Sequence, residues 1–172
     1  SAIYALLDKA EDDDIILTSD ADEIADPKII KHVKEWLDPT RHYVLVGPVF
    51  YYYLNLLCEK EWMGTRACTM KMLKTMSIDK LRQAHQQSWR VPCSSWHWSF
   101  FGDADTVRAK MDAYEHQENN LQQFRDTMED RIEQGVDPFG RDYLYKPTVV
   151  PIDDTFPEYI INNQDKLAKF IK

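Results

Sequence analysis

Four consecutive residues, Asp20-Ala21-Asp22-Glu23, crowd three carboxylates into a very short stretch of chain. Carboxylates this close repel one another, and a hard divalent cation relieves the repulsion. Oxygen ligands select Mg2+ or Mn2+ over Zn2+. In an extended segment residues i and i+2 point the same way, so Asp20 and Asp22 are expected to converge on one site. A cation held there can clamp a diphosphate and offset the negative charge that grows on it as it leaves. A D-x-D pattern alone leaves a plainer reading open, in which the acids solvate a loop and cap the helix that follows.

Other residues carry chemistry less specifically. His97 stands between Trp96 and Trp98 in an apolar run, where a histidine is often a hydrogen-bonded core group. Trp62, Trp96 and Trp98 offer large apolar faces with a polar edge, suited to stacking on sugars or to packing a core. Arg141 follows the turn sequence Asp137-Pro138-Phe139-Gly140. It can grip a phosphate oxygen bidentately, or pair with Asp137 or Asp142.

The elements that must position these groups read as follows. Ile15-Ile16-Leu17 is a short apolar run bounded by acids, the pattern of a buried strand in a sheet covered on both faces. Such a strand delivers Asp20 and Asp22 to the carboxyl end of the sheet, where α/β proteins bind ligands. Residues 2–10 show a helical apolar face. Asp26-Pro27 opens a helix running to about Leu37, with Asp as cap and Pro in the first turn. Tyr43–Val46 reads as a second buried strand, extended by Val49–Leu57, and Cys68–Leu73 has partial strand character. Ser77 caps a helix towards Gln87, and Trp96–Phe101 is strand-like. Asp105 is expected to cap a helix continuing to His116. Leu121 to Gln134 is an amphipathic helix stopped by Gly135, and Pro157–Ile171 a terminal helix. No repeat or linker interrupts this pattern, so one α/β domain over residues 1–172 is the economical expectation.

The chain has 172 residues, 44% of them hydrophobic, enough for a sizeable core. A net charge of −8 argues against nucleic acid as a partner, because phosphate backbones need clustered Lys and Arg. The longest apolar run, Val44 to Cys58, holds Gly47, Pro48 and Asn55 and is too interrupted to span a membrane. Cys58, Cys68 and Cys93 form no even framework and read as free, mostly buried thiols. With no signal peptide and no N-x-[ST] sequon, they suggest a cytoplasmic location.

Read together, four segments resemble the family 17 glycosyltransferases, in the bacterial and viral branch of this β-1,4-N-acetylglucosaminyltransferase-like family. The stretch Asp13 to Ile24 resembles the family's metal-binding segment. Trp96-His97-Trp98-Ser99-Phe100-Phe101-Gly102 resembles its tryptophan-histidine-x-serine segment, and Tyr114-Glu115-His116-Gln117-Glu118-Asn119 its histidine-x-glutamate segment. Residues Arg131 to Arg141 match a pattern of the bacterial branch. The resemblance spans most of the chain, in the right order.

It implies a GT-A-like, Rossmann-like α/β fold and inverting, divalent-cation-dependent transfer from a nucleotide-sugar, with N-acetylglucosamine a candidate sugar. The acceptor would be a hydroxyl of a glycan or polysaccharide. Asp20 and Asp22 would hold the metal, with His97 as a further metal or phosphate contact and His116 its rival. Glu118 would be the carboxylate that takes the acceptor proton, ahead of Glu115 and Asp103. Glu23, Trp96, His116 and Arg141 would contact donor or acceptor. The family carries its first strands and base pocket ahead of the D-x-D. Ser1 begins about where the helix before that motif would, so the chain is expected to be the C-terminal portion of such a domain. Ala25 stands where many relatives have proline.

Two other functions compete. A phosphatase of the haloacid dehalogenase type also places a nucleophilic Asp after a strand, but its D-x-D-x-[TV] pattern is broken here by Ile24. A non-catalytic, metal-stabilised glycan-binding or assembly module would use the same acids without turnover.

Overall fold

A computed structural model describes residues 7–84, 87–113, 117–141 and 146–172. The fold is mixed α/β. Its described strands are β1 (Ile15–Thr18), β2 (Glu23–Ala25), β3 (Tyr43–Tyr51), β4 (Leu56–Thr69), β5 (Trp89–Val91), β6 (Ser95–Ser99) and β7 (Thr148–Val149). They are hydrogen-bonded in the order β1-β4-β3-β6-β2, with β5 also on β3 and β7 also on β4. Strands β1 and β7 run antiparallel to β4, whereas β5 and β6 run parallel to β3. By internal contact the chain divides into two compact units, Ser1–Gly47 with Trp62–Trp96, and Pro48–Glu61 with His97–Lys172. Strands β3 and β4 each pass from one unit into the other.

The first unit is built on β1 paired with the second half of β4, in the register Ile15↔Thr69 to Thr18↔Arg66. Apolar side chains of β4 and the helices around it form two small cores. Val33, Leu37, Tyr43 and Ala67 make one, and Cys68, Met70, Leu73 and Leu81 the other. Fully burying a side chain such as Leu81 contributes about 1.5–3 kcal/mol. Strand β1 departs from the expected doubly covered strand. It ends the strand order, its pairing partner is antiparallel, and Leu17 remains 39% exposed. One hydrogen-bonded neighbour covers it where a parallel, doubly wound sheet would supply two.

The second unit gathers Tyr51, Tyr52, Leu56, Phe100, Met111 and Met128 with further apolar residues into a larger core. Helix Ala104–Ala113 contributes Val107 and Met111, and helix Met128–Gln134 contributes Met128 and Ile132. Gly135 ends the latter at φ 72, a left-handed conformation that side chains with a Cβ adopt at a cost.

Local signals place most elements. Asp26 caps helix Pro27–Lys31 by accepting from the Lys28 amide at 2.8 Å, with Pro27 in the first turn. The expected single helix to Leu37 is broken at His32, and a second short helix covers Val33–Trp36. Ser77 caps Ile78–Gln83. Strand β4 runs through Thr69, and only then does helix Met70–Leu73 begin, so the strand character expected over Cys68–Leu73 ends early. The cap of Ala104–Ala113 is Asp103 in place of Asp105: its carboxylate accepts from the Thr106 amide at 2.9 Å and hydroxyl at 2.7 Å. Thr127 divides the helix expected over Leu121–Gln134 into Gln122–Asp126 and Met128–Gln134. The terminal segment is likewise split at Asn163.

Candidate functional site

The acidic quartet lies in the first unit, between β1 and β2. There Asp20–Glu23 is a closed turn in place of an extended segment: the Glu23 amide donates to the Asp20 carbonyl at 3.1 Å. The side chain of Glu23 locks the turn from below. One of its oxygens, Oε2, accepts from the Asp20 amide at 3.2 Å, and Oε1 from the Trp62 indole at 2.8 Å. Gly64 makes room for that carboxylate, since a Cβ there would lie 2.9 Å from Glu23 Cδ and Oε1. Ser19 and Thr65 share a hydroxyl–hydroxyl hydrogen bond of 2.7 Å at the strand end. Glu23 is thereby a turn-holding residue; Asp20 is exposed and Asp22 half-buried.

Two arginines stand beside the turn. Arg82, in the last turn of Ile78–Gln83, donates from Nη2 to Asp20 Oδ1 at 2.6 Å, and both side chains are about half exposed. Arg66 is buried on β4. It donates to the carbonyls of Met63 at 2.9 Å, of Gly64, and of Arg82 at 3.1 Å. The last of these serves a carbonyl at a helix end. Burial pulls the Arg66 guanidinium below its ordinary value; Glu23 opposes that shift, Arg82 adds to it, and Asp20 opposes it. Four charged groups of both signs thus interact over one turn.

The donor set suits a hard cation, being carboxylate oxygens only. Arg82 already brings positive charge to Asp20, and an exposed ion pair of this kind is worth about 0–1 kcal/mol, so it exchanges readily. Among the described residues no three His, Cys, Asp or Glu side chains gather for a metal ion. Mg2+-like ions are commonly held by one or two carboxylates, with water and substrate phosphates completing the shell. In that mode Asp20 and Asp22 would be the carboxylates to hold the ion, Asp20 only after releasing Arg82.

The other predicted residues lie elsewhere. His97 belongs to the second unit, half-buried on β6 opposite Val49 of β3. Its electrostatic neighbour is Glu59, whose carboxyl burial pushes up and His97 pulls back down. Glu118 is exposed on the single helical turn Gln117–Asn119. His116 and Glu115 lie outside the described residues. Trp96 and Trp98 are each 8% exposed, which favours packing over stacking on a sugar. Trp98 stacks on Phe50 and donates to the Leu54 carbonyl at 3.1 Å. Arg141 is claimed by the fully buried Asp137, through Nη2 at 2.7 Å and Nε at 3.1 Å. Asp137 also accepts from the Phe139 and Arg141 amides, so this pair closes the Asp137–Arg141 turn.

Each unit also holds a cleft. In the first, a cavity of about 300 Å³ lined by Leu7, Ile16, Leu17, Leu73, Ile78 and Leu81 runs along β1 as far as Ser19, beside the acidic turn. In the second, a cavity of about 490 Å³ lies among Tyr52, Tyr53, Asp103, Lys169 and Phe170.

Trp62 as the holder of Glu23, Gly64, Arg66, Arg82 and Glu59 were not apparent from sequence. Arg82 is 62 residues from its partner Asp20, and no local pattern signals such a pair. Comparison with protein-family models, with curated proteins and with solved structures gave no match.

Proposed function

We propose that this chain is the catalytic region of an inverting, divalent-metal-dependent glycosyltransferase with a GT-A-like fold. It would move a sugar such as N-acetylglucosamine from a nucleotide-sugar to a glycan or polysaccharide hydroxyl. The observation that carries the reading is the turn itself. Asp20 and Asp22 are displayed on a turn locked by Glu23, Trp62 and Gly64, with Arg82 and Arg66 alongside. A donor diphosphate needs both signs of charge: carboxylates to hold a cation, and a guanidinium such as that of the half-exposed Arg82 to meet its oxygens, Arg66 being buried on backbone carbonyls.

Asp20 and Asp22 would hold Mn2+ or Mg2+, which supplies charge neutralisation at the departing diphosphate. The acceptor oxygen bonds to the anomeric carbon on the face opposite the diphosphate. The carbon–oxygen bond to the diphosphate breaks, and the electron pair leaves with it. A carboxylate base would take the acceptor proton; Glu118, the residue the family resemblance suggests for that role, belongs to the second unit. The apolar cleft ending at Ser19 lies where an uncharged part of a ligand can rest beside the acidic turn. Among the described residues no helix is long and apolar enough to cross a membrane. A cytoplasmic location is part of the same proposal.

The test is nucleoside diphosphate release from a panel of nucleotide-sugars, with and without Mn2+. The wild-type protein should release it from at least one donor only when Mn2+ is present, and Asp22→Ala should lose that activity by a factor of about 100 or more. Equal release by Asp22→Ala overturns the assignment. Glycan binding that survives Asp22→Ala, with no turnover of any donor by wild type, points instead to a binding module.

A further inference from the structure

We propose that the cavity of the second unit binds a small zwitterion with an apolar side chain, an aromatic α-amino acid being the simplest case. This goes beyond the transfer reaction and does not draw on the acidic turn. The cavity, of about 490 Å³, is walled entirely by residues of the second unit, and its volume is that of an ordinary small-molecule site. Tyr52 and Gly102, which line it, follow Tyr51↔Ser99, the last register pair of the parallel strands β3 and β6. That end of parallel strands is where α/β proteins take their ligands. The backbone turns sharply there, with Tyr52 at φ 59, Phe100 at φ 52 and Gly102 at φ 125. Residues with a Cβ hold this left-handed conformation only where their surroundings fix it. Here the Tyr52 hydroxyl donates to the Val136 carbonyl at 2.6 Å, and the Leu54 amide to the Phe170 carbonyl at 2.8 Å. The buried Asn55 side chain accepts from the Lys172 amide at 2.8 Å and donates to its carbonyl at 3.1 Å. The walls are therefore set before a ligand arrives, which lowers the cost of binding.

The charges on the rim select the ligand. Tyr53, Ile132 and Phe170 give the cavity apolar surface, and two lysines and three acids surround it. Three of these charged groups are already engaged. Glu129 is held by Arg108 through Nη1 at 2.8 Å and Nη2 at 2.6 Å. Asp103 accepts twice from Thr106, although it also feels the Lys169 charge. The Lys172 ammonium donates to the Ile132 carbonyl at 3.5 Å and to that of Glu133. Glu133 and Lys169 remain, both exposed, and among the described residues neither side chain has an ion-pair partner. The Lys169 ammonium stands 4.6 Å from the centre of the Phe170 ring. A ligand with net charge gains from one of the two and is repelled by the other. A zwitterion meets each with its opposite, ammonium at Glu133 and carboxylate at Lys169, while its side chain lies against Tyr53 and Phe170. Exposed ion pairs are weak, so burial of the side chain supplies most of the affinity and the two charges supply the selectivity.

The experiment is calorimetric titration of wild type, Glu133→Gln and Lys169→Gln with four ligands. L-phenylalanine carries both charges, N-acetyl-L-phenylalanine lacks the ammonium, L-phenylalaninamide lacks the carboxylate, and glycine lacks the side chain. Wild type should bind L-phenylalanine about fivefold tighter than either blocked form, and glycine at least about tenfold more weakly. Glu133→Gln should lose the preference over N-acetyl-L-phenylalanine and keep that over L-phenylalaninamide. Lys169→Gln should do the reverse. A merely structural role for either residue would lower all the affinities together, and matching thermal melts of the three proteins exclude unfolding. Failure of wild type to bind L-phenylalanine below about 10 mM overturns the proposal, as do affinities for it and its two blocked forms within about twofold of one another. Neither result touches the transferase reading, which is tested by nucleotide-sugar turnover.

Discussion

At the scale of single residues, Glu23 illustrates how an acidic motif divides its labour. Three carboxylates in four residues invite one explanation, yet one of them, Glu23, holds the turn itself. Its two oxygens are taken by the Asp20 amide and the Trp62 indole, and Gly64 leaves the space it occupies. Gly64→Ala should push that carboxylate, the far end of a flexible side chain, off its partners and destabilise the fold by only about 0.5–1.5 kcal/mol, the worth of a hydrogen bond. Denaturant midpoints would measure the stability, and Mn2+ affinity should fall in parallel as the turn loosens. Trp62→Phe keeps the ring but removes the N–H donor, at a cost of about 0.5–1.5 kcal/mol by the same assay. The sequence displayed the quartet openly but misled on its shape. An extended chain would make Asp20 and Asp22 converge, whereas Asp20 to Glu23 closes as a turn. That closure depends on Trp62 and Gly64, which no pattern near Asp20 encodes.

At the scale of elements, short-range chemistry was legible and long-range pairing was not. Asp26-Pro27, Ser77 and Gly135 mark helix ends because capping depends on residues a few positions apart. Asp103 and Asp105 present the same capping signal in the sequence, and only the Thr106 contacts decide for Asp103. The full burial expected of β1 failed for a different reason: an apolar run says nothing about how many neighbours a strand will find. The turn Asp137–Arg141 carries its own prediction. Asp137 is fully buried and meets two amides and the Arg141 guanidinium. Asp137→Ala would leave these donors without their acceptor and should destabilise by about 3–5 kcal/mol, read from urea unfolding. Arg141→Lys should cost less, because one donor still reaches the carboxylate, and should leave phosphate binding unchanged.

At the scale of the molecule, the three cysteines report on the packing as a whole. Burial, with the Asp137 charge second, pushes the Cys58 thiol up to about 12, and burial pushes Cys68 up to about 11, whereas Cys93 is exposed. Iodoacetamide at pH 8 should label Cys93 in the native state and reach Cys58 and Cys68 only after denaturant is added, as peptide mass mapping would show. The sign of the pH effect follows from the same shifts. Folded-state values raised above the ordinary thiol value of 9.0 favour the protonated form. Their contribution to stability is complete below that value and drains away as pH rises towards about 11–12. A denaturant midpoint that falls above pH 9, and falls less in Cys58→Ala, would register it.

The proposed activity depends most on a divalent cation held through Asp20 and Asp22 at the turn between β1 and β2. The most direct measurement is a Mn2+ titration of wild type, Asp20→Asn and Asp22→Asn, following loss of the free-ion paramagnetic signal. One specific site is expected in wild type, weakened about tenfold or more in each variant. Identical titration curves for all three proteins would contradict it.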